Sequence, residues 1–169
     1  MRNFRASALL EPAIMKKLLL SLSLALAAGL AAAADRPYDP AADAKAAIQA
    51  ALAQAAPGKQ PVLLIFGANW CEDCRALDKA LHAGRNAELM AKEFKVVKVD
   101  VGNFDHNLDV ANAYGNPIKK GIPAAVIVSP QNKVLFATRG GELADARRMS
   151  DEGVYDFFRK AVADARPAQ

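Results

Sequence analysis

Hydrophobic positions along this chain change spacing several times, and each change marks an element. Val62 to Phe66 is an unbroken apolar run of strand length, the pattern of a strand buried on both faces. Before it, Ala44, Ile48, Ala51, Leu52 and Ala55 recur at helical spacing, which predicts a helix over 40–56. Asp39 is its expected N-cap, Pro40 its first residue and Pro57-Gly58 its stop. After it, Ala76, Leu77, Ala80 and Leu81 predict a helix running to His82, with Gly84 as C-terminal punctuation.

The same reading predicts a second short helix over 86–94 and a valine-rich strand over 95–101. Asp105 is the expected cap of a helix through Tyr114, ended by Gly115 and Pro117. Residues 124–129 read as a strand, 130–133 as a hairpin turn and 134–138 as its return strand. Gly140-Gly141 breaks the chain before a polar helical segment. Ser150 starts a last helix with Val154, Phe157, Phe158, Ala161 and Val162 as its apolar stripe. Strand and helix alternate twice, then a hairpin and a helix follow, with no internal repeat and no long linker.

A different pattern occupies the start. Met15, Lys16 and Lys17 precede an uncharged stretch of leucine, alanine and serine from Leu18 to Leu30, and Ala31 to Ala34 follow. A short basic region, an apolar core and small residues, in that order, predict a secretory signal over residues 1–34 with cleavage after Ala34. Met15 is a more natural start for it than Met1. The apolar core falls short of the ~20 residues a membrane span needs. The expected product is therefore exported to the periplasm without stable insertion in the membrane, with 35–58 as an N-terminal helix and 59–165 as the main domain.

This changes how the composition is read. At 169 residues, 53% of them hydrophobic, the chain is sized for one ordinary domain. Its formal charge of +4 invites a nucleic-acid partner. The leader, however, holds four basic side chains and one acidic, so 18 basic and 17 acidic side chains remain after its removal. At +1, with no basic run longer than Lys119-Lys120 and Arg147-Arg148, nucleic acid drops out as a partner.

The 2 cysteines exclude a disulfide-dense scaffold and a four-Cys zinc site within one chain. They fall together in Gly67-Ala68-Asn69-Trp70-Cys71-Glu72-Asp73-Cys74, between the buried strand and the helix. That junction sets the first sulfur at a helix N-terminus, where unpaired N–H groups and the dipole stabilise a thiolate, and the second one turn later. Two thiols so placed can exchange disulfides: the first attacks and the second resolves. Half of a metal site is the competing reading. It needs two more ligands, and His82, about 12 Å past Cys74 along a helix, is too far to share a metal with both sulfurs. No metal or organic cofactor is expected.

Trp70-Cys71-Glu72-Asp73-Cys74 after a hydrophobic strand, with Gly121-Ile122-Pro123 before a later one, resembles the thioredoxin superfamily over about residues 59–163. The resemblance implies an α/β thioredoxin-like fold: a central mixed β-sheet flanked by helices on both faces. It further implies Cys71 as the exposed nucleophile, Cys74 as the buried resolving thiol, and a redox-active disulfide between them. Pro123 would be a cis-proline beside the cysteines, leaving the Ile122 backbone to pair with an extended substrate next to Trp70.

This sequence also departs from that family. Glu72-Asp73 stand where thioredoxins usually carry Gly-Pro, and two carboxylates beside the sulfurs should disfavour the Cys71 thiolate. A less favoured reduced form points to a reductant rather than a strong oxidant. The buried aspartate of the strand before the motif aligns with Ile65, although Lys98 matches the lysine that accompanies it. Asp73 and Asp100 are the candidate substitutes. Two pieces are added, Asn116 to Lys120 before the Ile122-Pro123 loop and Glu142 to Met149 before the last helix, and loops of this kind tend to hold partner choice. The expected function is periplasmic exchange of protein disulfides or thiols, sustained by a membrane electron donor. The alternative is a non-catalytic protein on the same fold, a peptide-binding chaperone or a copper carrier using both thiolates as soft ligands.

Overall fold

The computed structural model describes residues 36–166, and the expected leader lies outside them. Its elements in chain order are α1 (Ala44–Ala55), β1 (Val62–Gly67), α2 (Glu72–Leu81), α3 (Gly84–Glu93) and β2 (Lys95–Asp100). These are followed by α4 (Leu108–Ala113), a 3-10 turn (Pro117–Lys120), β3 (Ala124–Val128), β4 (Val134–Ala137), a second 3-10 turn (Ala146–Arg148) and α5 (Asp151–Ala165).

The four strands form one sheet in the order β2-β1-β3-β4. β1 runs parallel to β2 and antiparallel to β3, and β4 returns antiparallel beside β3. β1 therefore lies inside the sheet and is buried along its whole length, as its uninterrupted apolar run requires. One face packs Val62, Leu64, Phe66, Val97 and Val126 against α1 and α4. The other packs Leu63, Ile65 and Ile127 against α2, α3 and α5. The helices thus cover both faces of a mixed sheet, the expected α/β architecture.

Several helix ends differ from the sequence reading. α1 starts at Ala44, because Asp43 and not Asp39 is its cap, the carboxylate accepting the Ala46 N–H at 3.0 Å. Asp39 spends its side chain on a separate turn, accepting the Ala41 N–H at 2.9 Å. Gly84 does not close α2; at φ +44 it opens α3, a left-handed corner that glycine adopts freely. Asp105 caps nothing, since its carboxylate accepts the Asn103 N–H, and α4 is a shorter helix than expected.

The segment over 142–149 is a string of turns rather than a helix. Glu142 accepts N–H groups of Arg139 and Gly140, while Leu143 and Ala146 are buried against α2 and α5. Ser150 does cap α5, accepting the Gly153 N–H at 3.1 Å. Lys119 and Lys120 project from a turn whose Pro117 and Ile118 are buried.

Candidate active site

The C-terminal end of β1 delivers Trp70 and Cys71 to the start of α2. Cys71 is the N-cap of that helix, its Sγ accepting the Cys74 N–H at 3.1 Å, so the sulfur occupies the position where backbone donors favour negative charge. Cys71 and Cys74 are disulfide-bonded with their Cα atoms 5.2 Å apart. Cys74 has no exposed surface and Cys71 retains 6%. Cys71 is therefore the more open sulfur without being openly exposed, because the loop carrying Ile122 leans over it, its carbonyl oxygen 3.7 Å from Cys71 Sγ.

That loop supplies the second wall of the site. The Ile122-Pro123 peptide bond is cis, as the resemblance implies. Two residues on, Ala125 is bonded in both directions by the buried Thr138: the Thr138 hydroxyl accepts its N–H at 3.0 Å and donates to its carbonyl. Trp70 forms the outer lip and is 53% exposed. Its indole N–H donates to the Gly102 carbonyl at 2.8 Å, and its ring lies 6.1 Å from the exposed Phe104. Cys71, Cys74, Trp70, Ile122 and Pro123 are thus brought together at one end of the sheet.

Glu72 and Asp73 do not stand alone beside the sulfurs. Arg147, from the turns before α5, donates a side-chain N–H to Glu72 at 2.9 Å and its backbone N–H to Asp73 at 3.0 Å. Arg75 adds a guanidinium nearby, donating to the Asn69 carbonyl at 2.6 Å. The carboxylates therefore act on Cys71 through partly compensated charges, which reduces the effect expected from Glu72-Asp73 alone. Arg147 carried no such signal in the sequence, being 74 residues from Asp73.

Behind Cys74 the register of β1 on β2 sets Lys98 beside Ile65 and Asp100 beside Gly67. Lys98 is paired with Asp78 of α2, so the aspartate that answers this lysine sits on the helix and not on the strand. Asp100 accepts the Gly102 N–H at 3.1 Å. Neither Asp73 nor Asp100 has a carboxylate free of other partners. A group that borders the same space as Cys74 is one the sequence reading passed over. A Cβ on Gly67 would collide with the Tyr38 hydroxyl and meet Cys74 Sγ at 3.0 Å. Glycine at 67 thus lets Tyr38 lie across the strand end, where it is 2% exposed. Burial, followed by Asp78 and Asp100, raises the Tyr38 phenol well above its usual value. A glycine closing a buried strand was the available sign that another side chain fills its space.

Among the described residues no group of three or more His, Cys, Asp and Glu is arranged to hold a metal, and no helix is long and apolar enough to cross a membrane.

A family model described as thioredoxin-like matches residues 43–130. The crystal structure of a disulphide isomerase from Xylella fastidiosa Temecula1 is similar, with 58% sequence identity and a TM-score of 0.73, over 74% of this chain and 95% of that one. A structure described as a DsbH oxidoreductase shares 20% identity with a TM-score of 0.49, over 69% of this chain and 81% of its own. No curated protein matches the chain.

Proposed function

The chain belongs to the thioredoxin-like family and is a thiol-disulfide oxidoreductase, and on that premise we propose that it works in the periplasm as a dithiol reductant of protein disulfides. The observation that carries the reading is the placement of Cys71 Sγ, on the N-terminus of α2 and 3.7 Å from the Ile122 carbonyl. A substrate strand paired to the Ile122-Pro123 loop and resting on Trp70 would bring its disulfide onto that sulfur.

The Cys71 thiolate then attacks one substrate sulfur, forming a mixed disulfide and releasing the other substrate sulfur as a thiolate, which takes up a proton. Cys74 attacks Cys71 Sγ, the mixed disulfide breaks, and the Cys74 proton ends on the departing substrate thiol. Two electrons have passed to the substrate, and the Cys71-Cys74 disulfide awaits re-reduction by a dithiol partner, with a membrane electron donor as our candidate. The relative from Xylella is described as a disulphide isomerase. Isomerisation begins with the same attack by Cys71 and ends when a substrate thiol, rather than Cys74, displaces it.

Glu72 and Asp73 support the reductant direction, because their charge on the first turn of α2 works against the thiolate even when shared with Arg147. The leader pattern supports export. Insulin reduction is the test: the wild type should turn over and Cys71→Ser should not. A wild type without turnover would identify a non-catalytic binding protein instead. A glutathione-buffered titration should give a potential nearer the roughly −270 mV of thioredoxin than the roughly −120 mV of a strong periplasmic oxidase. Fractionation of cells expressing the full chain should recover a product starting at Asp35 in the periplasm; a cytoplasmic, uncut product would overturn the localisation.

A further inference from the structure

A resolving cysteine with no exposed surface depends on its packed neighbours to become a thiolate, because desolvation favours the neutral thiol. Four charged groups of α2 and β2 are candidates to serve Cys74, and each is engaged elsewhere. From α2, Asp78 pairs with Lys98, and Asp73 accepts the Arg147 N–H. From β2, Lys98 is taken by Asp78, and Asp100 accepts the Gly102 N–H. Tyr38 is different. Its hydroxyl and Cys74 Sγ both border the gap left by the absent side chain of Gly67, and the hydrogen bonds that Tyr38 makes among the described residues are those of its backbone.

The backbone of Tyr38 is fixed to the active-site loop. Its N–H donates to Asn69 Oδ1 at 3.0 Å, and Asn69 Nδ2 donates to its carbonyl at 2.6 Å, two residues before Cys71. The ring is therefore anchored to the segment that carries the nucleophile. The raised phenol keeps its proton throughout the neutral range, so it serves as a donor and not as a base.

We propose that the Tyr38 hydroxyl is the hydrogen-bond donor that stabilises the Cys74 thiolate once the disulfide opens, doing at this site what no carboxylate in the strand can do from the position of Ile65. In the disulfide, Cys74 Sγ is held toward Cys71. Opening the bond frees the sulfur to turn to the hydroxyl, which strengthens the charged form over the neutral thiol. During resolution Cys74 loses its proton to the substrate sulfur that leaves, while Tyr38 keeps its own. This inference rests on the dithiol chemistry above and names the group that readies its second step.

The test is a pH titration of the cysteine 13Cβ resonances in the reduced protein, wild type against Tyr38→Phe. Loss of one charge-assisted hydrogen bond should make Cys74 about tenfold weaker as an acid, moving its midpoint up by about one pH unit, with the Cys71 midpoint nearly unmoved. A Cys74 midpoint that stays in place, or two midpoints that move together through general loosening, would overturn the proposal. In the wild type the Tyr38 13Cζ resonance should follow the Cys74 midpoint. A Tyr38 signal indifferent to it would also sink the idea, even if the phenylalanine variant did not fold. Neither readout needs turnover, so failure to reduce insulin would count against the proposed function alone.

Discussion

The two sulfurs of one disulfide live in opposite kinds of surroundings. Cys71 faces a rim assembled from distant, partly solvated pieces: the Ile122 carbonyl, the indole of Trp70, and Glu72 and Asp73 tied to Arg147. Cys74 faces a packed interior in which Tyr38 fills the space above Gly67. Around the first, water screens each charge, so a single surface group adjusts reactivity in small steps. Around the second, little screening remains, and one atom too many or one hydroxyl too few is felt in full. Tuning and commitment are thus divided between the two ends of a single bond.

The contrast can be broken most directly from the interior. Gly67→Ala should cost about 2 kcal/mol, because the added methyl has to displace the ring end of Tyr38 from a close-packed site. Urea unfolding would measure it, and the cost should shrink in a Tyr38→Ala background, where the collision is absent. An unchanged urea midpoint would mean that the Cys74 side is no more tightly built than the rim.

A second test uses alkali. The Tyr38 phenol is raised in the folded protein, so above pH 10 the unfolded chain releases a proton that the folded chain retains. The stability Tyr38 contributes is whole below that pH and falls as pH rises toward the folded value, by up to about 1.4 kcal/mol per unit. Urea midpoints between pH 9 and 11 should therefore decline more steeply for the wild type than for Tyr38→Phe. Parallel slopes would place the phenol in contact with water.

The smallest effect is expected on the rim. Arg147→Ala removes the guanidinium from Glu72 and Asp73 while leaving the backbone N–H on Asp73, which disfavours the Cys71 thiolate and makes the dithiol more reducing. Surface pairs of this kind change the potential by only on the order of 10 mV. A glutathione titration would resolve the sign. A shift several times larger would show that the rim is as poorly screened as the interior.

What could be read from the sequence divides along the same line. β1 was visible because a strand covered on both faces has nowhere to place a polar residue, and the Cys-x-x-Cys junction because its chemistry is local. Asp39 and Asp43 are equally good caps by type; only the turn that Asp39 closes with Ala41 decides between them. Gly84 carries the same left-handed signature whether it ends one helix or begins the next. The expectations for Glu72 and Asp73 missed Arg147, and those for the missing aspartate missed Tyr38 and Asp78. In each case the partner arrives from another element, and the most a local pattern offers is a space to be filled, as at Gly67.

Tyr38 has one practical consequence, for where this protein is cut. It lies four residues beyond the expected cleavage site at Ala34 and five residues before the span matched by the family model, which opens at residue 43. A chain started where that match opens would keep both cysteines, the whole sheet and every helix from α1 onward. It would lose the clamp on Asn69 and leave a hole above Gly67, so the smallest span that can be recognised is shorter than the smallest span that is packed.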